Sequence, residues 1–416
     1  MNGENKHLDI VNWEPKISVR QVSNSINDVV ETGKQIIKNT EEDLDYIFEN
    51  VKECVQRCGV SIDNIRLRLT HRFIQYSSLV LGALCSNGLI PADIIKENYE
   101  KISDQLRRNP NAKILHLKNP KESVWPNEQG ETADPVFDDI EPDSFVFEEN
   151  REAWVFIHGM SYKALKKDGS DFSSSRQIDA FDYFANFEKE ARVFNPDPNA
   201  PLPPDTSKID IYLITYDSEM SDEEEEKIKV LLQSVVIGGG NYNLLIAAVF
   251  WKEMKRRAEK TAAYIKPFLE KLDRNTGRAI THSLGCYVLA YVAEQIISQN
   301  NDLQAFNSWW CMSPAIPSDS FSNTGSLQHA PLIAGSFDGL LYGTSVWYSL
   351  GDLVLMLLYP LAACTTALGL TGLGVNDNHW AEDYNITNIT DVHHGPDGEY
   401  IQRLGSRIRE ALRTTV

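Results

Sequence analysis

Ser283 stands in the run Thr281, His282, Ser283, Leu284, Gly285, between a short apolar stretch and a helix-like stretch over 287–297. A strand that turns sharply into a helix lifts a side chain clear of the backbone, and a serine hydroxyl so placed is a nucleophile candidate. The same turn aims the next amide, Leu284 N–H, at the atom the serine attacks. Thr281 fills the position where the glycine-x-serine-x-glycine pattern has its first glycine. For acyl transfer the serine needs a second N–H facing the developing oxyanion, an imidazole and a carboxylate.

Strand ends offer a candidate for each. Residues 153–157 form an apolar run that ends in His158, Gly159 and Met160. A glycine there lets the chain turn tightly and bring Met160 N–H beside that of Leu284, as an oxyanion pair. His158 itself is expected to be structural. The run 345–349 is followed by Leu350, Gly351 and Asp352, an acid placed after the nucleophile in sequence. Asp352 can orient an imidazole, cap the apolar helix that follows, or do both. Asp338 and Asp377 follow no clear strand and are weaker candidates.

The run 386–392 ends in His393, His394 and Gly395. Two adjacent histidines cannot both face one serine. His394 is the first choice as base, because Gly395 gives it a turn, and His393 is the second. His379 is a distant third. No carboxylate cluster accompanies the histidines and no Cys-x-x-Cys pair occurs among the six cysteines, so neither a metal nor another cofactor is expected.

These residues need a scaffold. From about residue 144, apolar runs bounded like buried strands (144–147, 153–157, 209–216, 278–281, 306–312, 344–349 and 386–392) alternate with segments long enough for crossover helices, including 244–272. That order predicts an α/β architecture with a mostly parallel, doubly wound sheet covered on both faces. Sites in such sheets lie at the carboxyl ends of the strands. The domain is expected to span 144–416. Residues 1–143 read as a mainly helical region of unknown role, with helical periodicity over 22–51, 65–85 and 91–108. A strand is possible at 113–117, and a Pro/Glu/Asp-rich loop or linker is expected over 120–142.

A formal charge of −19 argues against nucleic acid as partner, since phosphate binding needs basic patches. The N-terminus lacks the apolar core of a secretory signal, so a cytoplasmic location is expected. Residues 353–375 are apolar enough to raise the question of a membrane span. Pro360, the clustered glycines and the absence of a Lys/Arg anchor instead predict a buried helix and loop, with no transmembrane segment.

Four pieces in this order (155–159, 281–285, 349–355 and 391–395) resemble the α/β-hydrolase superfamily over roughly residues 150–416. The likeness is to bacterial hydrolases of poorly defined function and to lipase-like members. The resemblance implies Ser283 as nucleophile, Asp352 as acid and His394 or His393 as base, acting on a small-molecule or lipid ester as a serine esterase. It does not reach residues 1–143, through which a protein partner could bind. The competing expectation is a hydrolase-fold interaction protein with weak or no activity. The stretch 217–243, with an acidic run and a glycine triplet, is either a lid or a surface loop.

Overall fold

The computed structural model describes residues 109–160 apart from 149, then 172–197, 205–218 and 242–335 apart from 301. It also describes 343–373 with gaps between 353 and 364, then 380–393 and 399–414. The helical periodicities read over residues 1–108 and nearly all of the 217–243 segment lie outside these residues, as do Asp338, Asp377, His379 and His394.

In chain order the elements are β1 (Lys113–Leu117), α1 (Pro120–Val124), β2 (Phe137–Ile140), β3 (Glu152–Ile157) and α2 (Phe172–Ala191). Next come β4 (Ile209–Thr215), α3 (Tyr242–Glu270), β5 (Arg278–His282), α4 (Leu284–Ile297) and β6 (Ser308–Met312). The last are β7 (Thr344–Tyr348), α5 (Leu368–Thr371), β8 (Ala381–Asn385) and α6 (Glu399–Thr414). The strands make one eight-stranded sheet in the order β2-β1-β4-β3-β5-β6-β7-β8. From β4 to β8 every neighbouring pair is parallel, while β1 runs antiparallel to both β4 and β2. The protein is therefore an α/β protein with a mostly parallel sheet.

Alternation along the strands sorts the core into two layers. On β3, Ala153, Val155 and Ile157 face one side and Trp154 and Phe156 the other. The first side meets α3 and α4 through Met254, Ala258, Ile265, Leu284 and Val288. The second meets α2 and α6 through Phe184, Phe187, Leu404 and Ile408. Strands buried on both faces read as continuous apolar runs, which is why β3 to β7 stand out in the sequence. Each fully buried Leu, Ile, Val or Phe contributes about 1.5–3 kcal/mol relative to exposure, so these two layers supply most of what holds the sheet flat against its helices.

The sequence-based boundaries need three corrections. The sheet takes in β1 and β2 from upstream of residue 144, and the supposed linker 120–142 supplies both α1 and β2. Residues 144–147 are not a strand. The final strand is Ala381–Asn385 rather than 386–392, which forms a turn instead. β8 is an edge strand with one neighbour, β7, and its side chains are mostly outside the core, so it carries little apolar signal. No helix among the described residues is long and apolar enough to cross a membrane.

Candidate functional site

After β3 the chain moves outward to β4, then returns to the other side of β3 to lay down β5. Such a reversal leaves a crevice beyond the carboxyl ends of the two central strands, because the following segments depart to opposite faces. The segment after β3 is His158, Gly159, Met160, and the segment after β5 begins with Ser283. Topology alone thus brings these two pieces together, with Ile157 and Thr281 as register partners.

Ser283 joins β5 to α4 at φ 53° and ψ −119°, a conformation that a residue with a Cβ adopts at a cost of about 1–3 kcal/mol. Its N–H donates to Met312 O (3.0 Å), and its own carbonyl accepts from Cys286 N (3.1 Å) and Ala315 N (3.2 Å), which hold the strained turn in place. The side chain makes no capping bond with the helix, leaving Oγ for other work. Leu284 N–H lies in the first turn of α4, where amides have no intrahelical acceptor and the helix dipole favours negative charge.

Two glycines let this turn sit close to β3. A Cβ on Gly285 would meet Ile157 O at 2.4 Å and His158 O at 2.5 Å. A Cβ on Gly159 would meet Ser283 Cβ at 2.8 Å. Thr281, in the place of the first glycine of the pattern, turns its side chain into the sheet packing. Its Oγ1 accepts from Trp309 Nε1 (2.8 Å) and lies 3.2 Å from Cys286 Sγ, to which it donates. The departure at 281 thus serves a buried hydrogen-bond network and leaves the turn at Ser283 formed.

His393 Nδ1 is 2.6 Å from Asp352 Oδ2, and His393 Nε2 is 2.7 Å from Ser283 Oγ. A carboxylate can only accept, so Nδ1 carries the proton; Nε2 then presents a lone pair to the serine O–H. All three groups are almost wholly enclosed, at 2% (Ser283), 1% (Asp352) and 3% (His393) exposure. Asp352 also accepts from Leu355 N through its other oxygen at 3.0 Å, so it caps the following segment as well as holding the imidazole. Ser349 Oγ donates to Thr390 O (2.6 Å), tying the loop after β7 to the loop that carries His393.

No family model matches the chain, and no curated protein matches it. The reading of the site therefore rests on its residues and their geometry.

His158 holds the neighbouring peptide. Its Nδ1 donates to Gly159 O at 2.8 Å, its ring stacks on Tyr216 at 4.9 Å between centroids, and its carbonyl accepts from Tyr216 Oη at 3.2 Å. Burial lowers its pKa to about 4, the bond to Gly159 offsetting only part of that, so the ring is neutral near pH 7. The Gly159–Met160 peptide is trans, and its C=O and N–H point in opposite directions. Fixing Gly159 C=O on the His158 ring therefore turns Met160 N–H away from it.

Of the residues singled out in the sequence, the structure brings Ser283, Asp352, Leu284 and Met160 to one end of the sheet. It places His393 between acid and serine, where His394 was preferred; His394 itself lies outside the described residues. Sequence reasoning missed Ser349, Thr390, Tyr216 and His282. His282 stood inside the diagnostic run, yet nothing in spacing revealed that its ring reaches His393. Among the described residues no cluster of His, Cys, Asp or Glu could hold a metal ion. Cys286 and Cys311 are buried free thiols in the packing behind Thr281.

Proposed function

We propose that the protein is a serine hydrolase of the α/β-hydrolase type that cleaves a carboxylic ester through an acyl-enzyme on Ser283. The observation that carries this reading is the unbroken chain Asp352–His393–Ser283, with hydrogen bonds of 2.6 and 2.7 Å, on a serine held at positive φ.

The chemistry follows from the protonation states. Ser283 Oγ adds to the ester carbonyl carbon as His393 Nε2 takes its proton, and Asp352 stabilises the imidazolium that forms. The carbonyl oxygen becomes an oxyanion, for which Leu284 N–H and Met160 N–H are the proposed donors. Collapse breaks the bond to the alkoxy oxygen, which leaves as an alcohol with the proton from His393. Water then adds to the acyl-enzyme, giving a proton to His393 Nε2. Collapse of that second intermediate returns the proton to Ser283 Oγ and releases the acid. The near-complete burial of all three groups supports the scheme, because an ion pair formed there is not screened by water.

A fluorophosphonate probe tests the proposal directly. The wild-type protein is expected to label and the Ser283→Ala protein not to. Absence of label on folded wild type would leave a hydrolase-shaped scaffold without this activity. A panel of fluorogenic esters of increasing acyl length then assigns the substrate class.

A further inference from the structure

His282 Nε2 lies 2.9 Å from the backbone carbonyl of His393, a residue 111 positions away in sequence, and both residues are buried. A carbonyl can only accept, so Nε2 carries the proton and donates. The His282 ring lies 5.0 Å from that of His393 and 4.9 Å from that of Tyr400. We propose that His282 is a positioning residue for the base: the side chain next to the nucleophile holds the main chain of the residue that activates it. The inference rests on the serine-hydrolase reading and deepens it.

Only contacts that survive the proton transfers can hold the base throughout the reaction. His393 follows β8 on a loop with no strand partner of its own. Its imidazole bond to Ser283 must break and re-form as the proton moves, so that bond cannot fix the ring throughout the cycle. The tie from Ser349 Oγ to Thr390 O anchors the loop from the β7 side. His282 supplies the matching anchor from the end of β5, the strand that also carries the serine. A main-chain anchor keeps its geometry whichever atom holds the proton. It also sets the position of His393 relative to Ser283 through one adjacent residue, so any shift of the elbow carries the base with it. The buried carbonyl and the buried ring N–H also satisfy each other's hydrogen-bonding demand.

The test compares His282→Phe, which keeps a ring without the donor, His282→Gln, whose terminal amide can reach where Nε2 lies, and His282→Asn, which is too short. Each is purified as the full chain and checked for folding by circular dichroism and thermal unfolding. The rate constant of fluorophosphonate labelling and the kcat and KM of ester hydrolysis are then measured. His282→Phe and His282→Asn are expected to label about 10- to 100-fold more slowly, the loss falling on kcat with KM within a few-fold, since small misplacements of a catalytic group cost that much. His282→Gln is expected to recover most of the rate. If His282→Phe does not fold, the difference between Gln and Asn decides. Equal rates in folded Gln and Asn proteins, or wild-type labelling in the Phe protein, would overturn the inference while leaving the nucleophile in place. Labelling that persists in Ser283→Ala would instead overturn the serine reading and this inference with it.

Discussion

Gly159 and Ser283 come so close that a methyl group on Gly159 would lie 2.8 Å from the Cβ of Ser283. The tip of β3 and the turn after β5 therefore share a contact that leaves no space for a side chain. Gly159→Ala is expected to push one of the two aside, misdirecting either the serine or Met160 N–H. Ester turnover should fall by about 10²-fold, the scale of losing one oxyanion donor, while the folded protein persists. Steady-state kinetics with a check of thermal unfolding would show this, and full activity would mean that this close contact does not set the position of the serine or of the Met160 amide.

The two histidines that the sequence left side by side separate cleanly by substitution. His393→Ala is expected to abolish labelling of Ser283, whereas His394→Ala should leave it within a few-fold of wild type. Asp352→Asn should reduce kcat by about 10⁴-fold, because the amide can no longer fix Nδ1–H as the protonated nitrogen. Labelling lost in His394→Ala but retained in His393→Ala would reverse the assignment of the base.

His158 gives a pH dependence of defined sign. Its pKa of about 4 lies below the ordinary 6.5, so between these values the unfolded chain binds more protons than the native protein. Stability contributed by the neutral ring is fully present above pH 6.5 and is lost as pH falls toward 4. Glu188, buried and raised to about 7, acts in the opposite direction as pH rises, and would mask the effect in wild type alone. Comparison with His158→Asn cancels Glu188. The stability difference, wild type minus variant, should be about 2 kcal/mol smaller at pH 5 than at pH 7, measured by urea unfolding. An unchanged difference would mean that His158 is not held neutral by its surroundings.

Thr281 should matter for stability more than for chemistry. Thr281→Val keeps the shape but leaves the Trp309 indole N–H without its buried acceptor, at an expected cost of about 1–3 kcal/mol. The folded variant should still label at Ser283. Loss of labelling at unchanged stability would instead make Thr281 part of the turn's geometry.

What the sequence displays depends on where each element sits. β3, β5, β6 and β7 are covered on both faces, and their apolar runs and turn residues marked them, along with the serine, the acid and the proposed oxyanion amides at their ends. The edge strands β2 and β8 bury only Ala381, so Phe137–Ile140 read as linker and Ala381–Asn385 went unnoticed. Ile386 and Ile389 instead supply apolar signal from a turn that packs on the core, and that displaced the last strand along the chain. The preference for His394 came from the turn at Gly395, and nothing in the spacing showed that His393 Nε2 lies 2.7 Å from Ser283 Oγ. The bonds from His282 to His393 and from Ser349 to Thr390 were illegible for a different reason. They join side chains to distant main-chain carbonyls, and such pairings leave no periodicity.

Ser283 pays for its orientation with a backbone angle that a side chain resists. Glycine at this position would relieve the strain and end the reaction in one step. Selection for durability and selection for turnover thus pull in opposite directions at a single codon. A lineage that no longer needed the chemistry would be free to drift to glycine there, and that replacement would mark the loss more clearly than decay of the surrounding fold.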